Sequence, residues 1–127
     1  MSPYLVVIPT YNEKENVELM VRRIFELEKQ FHILIVDDGS PDGTAAIVHG
    51  LRKEFPDRLH IEERAGKQGL GTAYVHGFKW GMEKGYTYLF EMDCDFSHHP
   101  KDLPLLLAAC EDDGYGMSIG SRYTKGG

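Results

Sequence analysis

The sequence predicts an α/β domain, a mostly parallel sheet with helices on both faces. Three observations lead there. Short apolar runs that read as buried strands alternate with stretches of helical period along the chain. A polar, turn-rich segment follows each strand. The 127 residues, 42% of them hydrophobic, suffice for one domain with a real core.

Taken in order, Tyr4 to Ile8 reads as a first strand that Pro9 stops. Asn12 with Glu15 three residues on predicts a capping box for a helix carrying Val17, Met20, Val21, Ile24 and Leu27 at helical spacing and ending near Lys29. His32 to Val36 is a second buried strand. The turn-rich segment Asp37-Asp38-Gly39-Ser40-Pro41-Asp42-Gly43-Thr44 then leads to a helix marked by Ile47, Val48, Leu51 and Phe55. A weaker strand spans Leu59 to Glu62, and Arg64 to Gly71 forms a glycine-rich loop. A third helix, Thr72 to Lys84, is expected to bury Tyr74, Val75, Phe78 and Met82. The apolar run Thr87 to Met92 is a fourth strand. After it come a helix beyond Pro100, with Leu103, Leu106, Leu107 and Cys110 inward, and a last short strand near residues 116–120.

In sheets of this kind ligands bind outside the carboxyl ends of the strands. The segments at those ends hold most of the unusual polar chemistry: Pro9-Thr10-Tyr11-Asn12-Glu13, Asp37-Asp38-Gly39-Ser40, the loop with Lys67, Asp93-Cys94-Asp95, and Arg122. Asp93 and Asp95, one residue apart at a strand end, can reach one hard cation of the Mg²⁺ or Mn²⁺ type and leave its other positions to water and phosphate oxygens. A bare pair of this spacing is equally compatible with two solvated loop aspartates. Asp38 can accept hydrogen bonds from a base or ribose, and Tyr11 can stack on a base. Glu13 can do the work of Asp38, although carboxylates are also favoured in the first turn of a helix. Arg122 suits a diphosphate, since its planar fork meets phosphate oxygens in pairs. Gly66, Gly69 and Gly71 permit close backbone approach. They fit neither the P-loop nor the dinucleotide glycine pattern. Trp80 and Tyr86 read as packing residues. His98 and His99 lack a zinc spacing with Cys94 and read as loop-structuring.

Composition narrows the classes. A formal net charge of -6 argues against a nucleic-acid surface, and no run of Lys and Arg marks a membrane-binding helix. No stretch approaches the ~20 apolar residues that span a bilayer. Met1 to Ile8 lacks the basic start and apolar core of a signal peptide. Two cysteines, Cys94 and Cys110, offer no disulfide framework and fit a reducing cytoplasm.

Five segments together resemble the dolichyl-phosphate (polyprenyl-phosphate) mannosyltransferases, inverting members of glycosyltransferase family 2 with the GT-A fold. They are Val7 to Glu13, Val36 to Thr44, Gly69 to Tyr74, Met92 to Pro100, and Gly120 to Tyr123. Ser40-Pro41-Asp42-Gly43-Thr44 and Phe96-Ser97-His98-His99-Pro100 point to the polyprenyl-phosphate branch. The resemblance implies that Pro9, Tyr11, Glu13, Val36 and Asp38 line a nucleoside pocket. It implies further that Asp93 and Asp95 hold Mg²⁺ or Mn²⁺, that Cys94 meets the nucleotide through its backbone where Ala is usual, and that Arg122 contacts the donor. The implied reaction is metal-dependent transfer of a hexose, mannose from GDP-mannose, to a polyprenyl or dolichyl phosphate at the cytoplasmic face of a membrane. Relatives of this kind continue past the equivalent of Gly127. Residues 1–127 are therefore expected to be the donor-binding part of a C-terminally truncated catalytic domain, without the acceptor segment.

Two other classes remain open on the residues alone. Asp93-x-Asp95-x-Ser97 after an apolar strand is similar to an aspartyl-nucleophile phosphatase signature, which usually opens its domain. A non-catalytic nucleotide-sugar binding module is the other. The sugar, base, lipid and oligomeric state are not readable from these residues.

Overall fold

A computed structural model describes residues 3–27, 29–66, 70–94 and 103–104. Four strands, β1 (Tyr4–Thr10), β2 (His32–Asp37), β3 (Leu59–Glu63) and β4 (Tyr88–Glu91), alternate with α1 (Val17–Phe25), α2 (Thr44–Arg52) and α3 (Leu70–Glu83). The described strands lie in the order β3-β2-β1-β4, and every pairing is parallel. The chain builds outward from β1 to β3, then α3 carries it back to set β4 on the other side of β1. The strand order therefore reverses beside β1, where an open parallel sheet leaves a crevice at its carboxyl end.

Strand side chains alternate between two apolar layers. Val6, Ile8, Ile33, Ile35, Phe90 and Met92 pack with Val17, Met20, Val21 and Ile24 of α1 and with Val48 and Leu51 of α2. Leu5, Val7, Leu34, Val36 and Leu89 pack on the opposite face with Ala73 and Tyr74 of α3. Helices thus cover both faces, as the sequence predicts. The predicted fifth strand and most of the helix after Pro100 lie outside the described residues.

Three local expectations are corrected. Pro9 does not stop β1, which runs on through Pro9, opposite Val36, to Thr10, opposite Asp37. Val7 accepts from the N–H of Met92 and Thr10 from that of Asp38, so residues 7 and 9 face β4 while residue 10 faces β2. The β1–β4 register ends at Val7 opposite Glu91, and the N–H that proline lacks would point beyond that end. The Asn12–Glu15 capping box does not form. Residues 13–16 make a turn in which the N–H groups of Asn16 and Val17 both donate to the Glu13 carbonyl, and α1 starts at Val17. Asn12, at φ 57°, instead donates its N–H to Ser40 Oγ at 2.9 Å.

The third correction concerns α3. Val75 and Met82 are exposed, and the inward stripe is Ala73, Gly77 and Gly81, with Tyr74 beside it. A Cβ on Gly77 would stand 2.3 Å from Val7 Cγ1, and one on Gly81 2.7 Å from Leu89 Cδ2. The helix lies so close to the sheet that only glycine fits at those two turns. Gly71, expected in the preceding loop, is inside α3.

Candidate active site

The carboxyl ends of β1 and β2 are joined through Asp37. Its carboxylate, 1% exposed, accepts from Thr10 Oγ1 at 2.6 Å, from the Ser40 N–H at 2.9 Å and from Ser40 Oγ at 2.7 Å. A buried carboxylate so satisfied builds the loop and leaves the next residue to face the rim. Gly39, at φ 72°, makes the turn, and a Cβ there would come 3.0 Å from the Gly66 nitrogen, so the loop after β3 packs against it. Farther out, the Glu13 N–H donates to Thr44 Oγ1 at 3.0 Å, and Asp42 accepts from Lys14 and Thr44. Burial pushes the Asp42 carboxyl up, but hydrogen bonds from Thr44 and Lys14 outweigh it and hold the group below its ordinary value.

Asp38 stands at the tip of β2, 5% exposed. Arg64, the first residue after β3, grips it with both prongs: Nε reaches Oδ1 at 2.7 Å and Nη2 reaches Oδ2 at 3.0 Å. The two side chains are 9% and 7% exposed, so this is a desolvated, bidentate pair. Arg64 Nη1 also lies 3.2 Å from Thr72 Oγ1, on the first turn of α3. Sequence reasoning passes over Arg64 in favour of Lys67, which lies outside the described residues. The available signal is positional, a lone guanidinium at the end of the strand next to the one that ends in Asp38.

Across β1, at the end of β4, Asp93 is half-buried, and its Oδ1 accepts the Tyr74 hydroxyl at 2.6 Å. Tyr74 is the other residue whose functional part sequence reasoning misses. Its ring belongs to the core as expected, but a buried phenol needs a partner for its hydroxyl, and that partner is the metal-site candidate. Cys94 is 1% exposed and packs among the α1–α2 face residues. Pro9 and Val36 are neighbours in register and both buried. Tyr11, 37% exposed, displays its ring beyond β1. Glu13 lies ahead of α1 rather than in its first turn, and its Oε1 accepts from Asn16 Nδ2 at 3.2 Å. Asp95 and Arg122 lie outside the described residues.

Among the described residues no three carboxylate, imidazole or thiol groups converge as a complete metal cage. Of the two residues expected to hold a cation only Asp93 is described. Its carboxylate at a strand end, with Oδ1 accepting from Tyr74, is compatible with a cation of the Mg²⁺ class, which takes one or two carboxylates and fills its remaining positions with water and substrate phosphates.

Residues 5–127 match the family described as Glycosyl transferase family 2. The chain belongs to that family. This family-2 chain is 54% identical over 123 residues to a polyprenol monophosphomannose synthase of Mycolicibacterium smegmatis, a match covering 97% of the chain and 46% of the relative. It is 45% identical to an undecaprenyl-phosphate mannosyltransferase of Micrococcus luteus, covering 97% of the chain and 49% of the relative. The chain thus spans about half the length of the curated relatives it matches. Among solved structures, a mannosyltransferase of Pyrobaculum calidifontis in complex with GDP-Man and Mn²⁺ superimposes with a TM-score of 0.57 at 26% identity, over 62% of this chain and 26% of that one. The fold is the GT-A fold of the family-2 glycosyltransferases. Among the described residues no helix is long and apolar enough to cross a membrane.

Proposed function

We propose that the chain is the donor-binding part of a glycosyltransferase that moves mannose from GDP-mannose to a polyprenyl phosphate, with inversion and with Mg²⁺ or Mn²⁺ as cofactor. The observation that carries this reading is the placement of Asp38 and Asp93 at the carboxyl ends of the two strands flanking β1, at the point where strand order reverses. The names of the relatives supply the sugar and the acceptor class. The neighbour solved with GDP-Man and Mn²⁺ supports the donor and the cation.

The division of labour along the rim follows from its chemistry. Asp38 offers acceptor oxygens for the N–H edge of a guanine, and Arg64 beside it brings a donor suited to the base carbonyl. Tyr11 supplies a face for the base to stack on. Pro9 and Val36 close the floor beneath, and Glu13 stands at the entrance beside Asn16. Asp93 and Asp95 would hold the cation, which when bound supplies positive charge against the diphosphate. Arg122 adds a second, fixed positive charge to the leaving group. An oxygen of the lipid phosphate, already anionic near neutral pH, attacks the anomeric carbon from the side opposite the nucleotide. The bond from that carbon to the diphosphate breaks, its electron pair stays on the diphosphate oxygen, and configuration inverts. The chain needs no strong general base for this step. Its task is to bind, orient and stabilise departing charge.

The acceptor is expected at the cytoplasmic face of a membrane, positioned by the part of the relatives' length that residues 1–127 do not span. Transfer of radiolabelled mannose to a polyprenyl phosphate, compared between residues 1–127 and a natural chain of the relatives' length, tests this reading. Donor binding by both with turnover only by the longer chain is the expected result. Robust turnover by residues 1–127 would refute the division, and a longer chain that turns over UDP-sugars but not GDP-mannose would refute the donor.

A further inference from the structure

We infer that Tyr74 is a positioning residue for the cation site: its hydroxyl fixes the Asp93 carboxylate in the orientation that receives the metal. The inference rests on the donor-site reading above and adds to it a residue outside the strand-end segments. The bond itself is short, 2.6 Å from the phenol oxygen to Asp93 Oδ1, and it joins residues nineteen apart in sequence.

Three features make Tyr74 a rigid support. Its side chain is 8% exposed and lies in the apolar layer with Val7, Val36 and Leu89, so the ring is held by packing while the hydroxyl reaches the rim. The helix that carries it is seated on the sheet at Gly77 and Gly81, where not even a methyl group fits. Two residues before Tyr74, Thr72 meets Arg64, which in turn grips Asp38. The start of α3 therefore holds a partner of both rim carboxylates and sets them relative to each other. A phenol donating to one carboxylate oxygen removes the rotation that a strand-end aspartate would otherwise have and leaves the other oxygen directed. Groups that orient a metal's ligands in this way typically change metal affinity by about 10–100-fold when removed.

The variant is Tyr74→Phe, which deletes the hydroxyl and keeps the ring. Mn²⁺ binding is followed by electron paramagnetic resonance with GDP present, GDP binding without metal by calorimetry, and stability by thermal unfolding. The expected result is Mn²⁺ affinity lower by on the order of 10-fold, with metal-free GDP affinity within about 2-fold of the parent chain. In an Asp93→Asn background the same substitution should have no further effect on Mn²⁺. Equal Mn²⁺ affinity in the parent and Tyr74→Phe overturns the inference and leaves the donor-site reading standing. So does equal weakening of Mn²⁺ and metal-free GDP binding, which would make Tyr74 a general support of the rim. A parent chain that binds GDP but takes up no Mn²⁺ overturns both the inference and the metal reading.

Discussion

Gly77→Ala probes the seat of α3 on the sheet, on which the placement of Thr72 and Tyr74 depends. The added methyl would meet Val7 Cγ1 at 2.3 Å, Val7 Cγ2 at 3.0 Å and Val7 Cβ at 3.2 Å. Because all three atoms belong to one fully buried β-branched side chain, rotating it about χ1 exchanges one close contact for another. Overpacking of this kind costs about 1–3 kcal/mol, and contact at this distance belongs at the upper end. Alanine returns about 1 kcal/mol over glycine inside a helix. The net is a loss of about 2 kcal/mol, which for a domain of this size lowers Tm by about 8 °C. Differential scanning calorimetry gives the number directly. Gly81→Ala should cost less, since its close neighbours are the flexible ends of Leu89 and Leu5. Combining Gly77→Ala with Val7→Ala should be milder than the sum of the two, because the second change removes both methyls that the first one strikes. A Gly77→Ala chain as stable as the parent, with no coupling to Val7, would refute the close seating of α3.

Arg64→Ala should destabilise by about 3–5 kcal/mol, read by chemical denaturation, because it strands a buried carboxylate; adding Asp38→Asn should recover most of the loss. The neighbouring imidazoles of His32 and His60 provide a pH signature at the far end of the sheet. Burial pushes His32 below its ordinary 6.5, with His60 and Arg58 adding to the effect, and burial does the same to His60, reinforced by Arg52. The unfolded chain therefore takes up more protons than the folded one as pH falls through 6.5, and stability should decline on the acid side of that value and be complete above it. Replacing both with Gln should flatten that part of the stability profile; an unchanged slope would show that neither imidazole is held neutral. Asp95→Ala should abolish the Mn²⁺-dependent share of GDP binding while changing stability by no more than about 0.5 kcal/mol, the usual size for a substitution outside the core.

The strand pattern was legible because β1, β2 and β4 are short apolar runs whose buried residues alternate between two covered layers, and β2 and the weaker β3 fall within a residue of their expected limits. Asp38 and Asp93 were legible for a related reason, since polar residues just past a buried run fall on one rim of a parallel sheet. Less readable were features set by close approach between elements. Gly77 and Gly81 are the contact face of α3 because they have no side chain, whereas apolar periodicity scores such positions as empty and points to Val75 and Met82 instead. The Asn12 box fails because its backbone N–H is taken by Ser40 from another loop, a partner that no local spacing reveals. The roles of Arg64 and Tyr74 likewise depend on partners 26 and 19 residues away.

Donor titration tests the central claim most directly. GDP-mannose, UDP-GlcNAc and free GDP are each titrated calorimetrically into the chain, once with Mn²⁺ and once with chelator. A single site is expected for GDP and GDP-mannose, tightened by Mn²⁺, weakened by Arg64→Lys and clearly preferred over UDP-GlcNAc. No binding of any nucleotide, or binding to which Mn²⁺ and Arg64 make no difference, would contradict the assignment of the rim between Asp38 and Asp93 as a metal-assisted donor site.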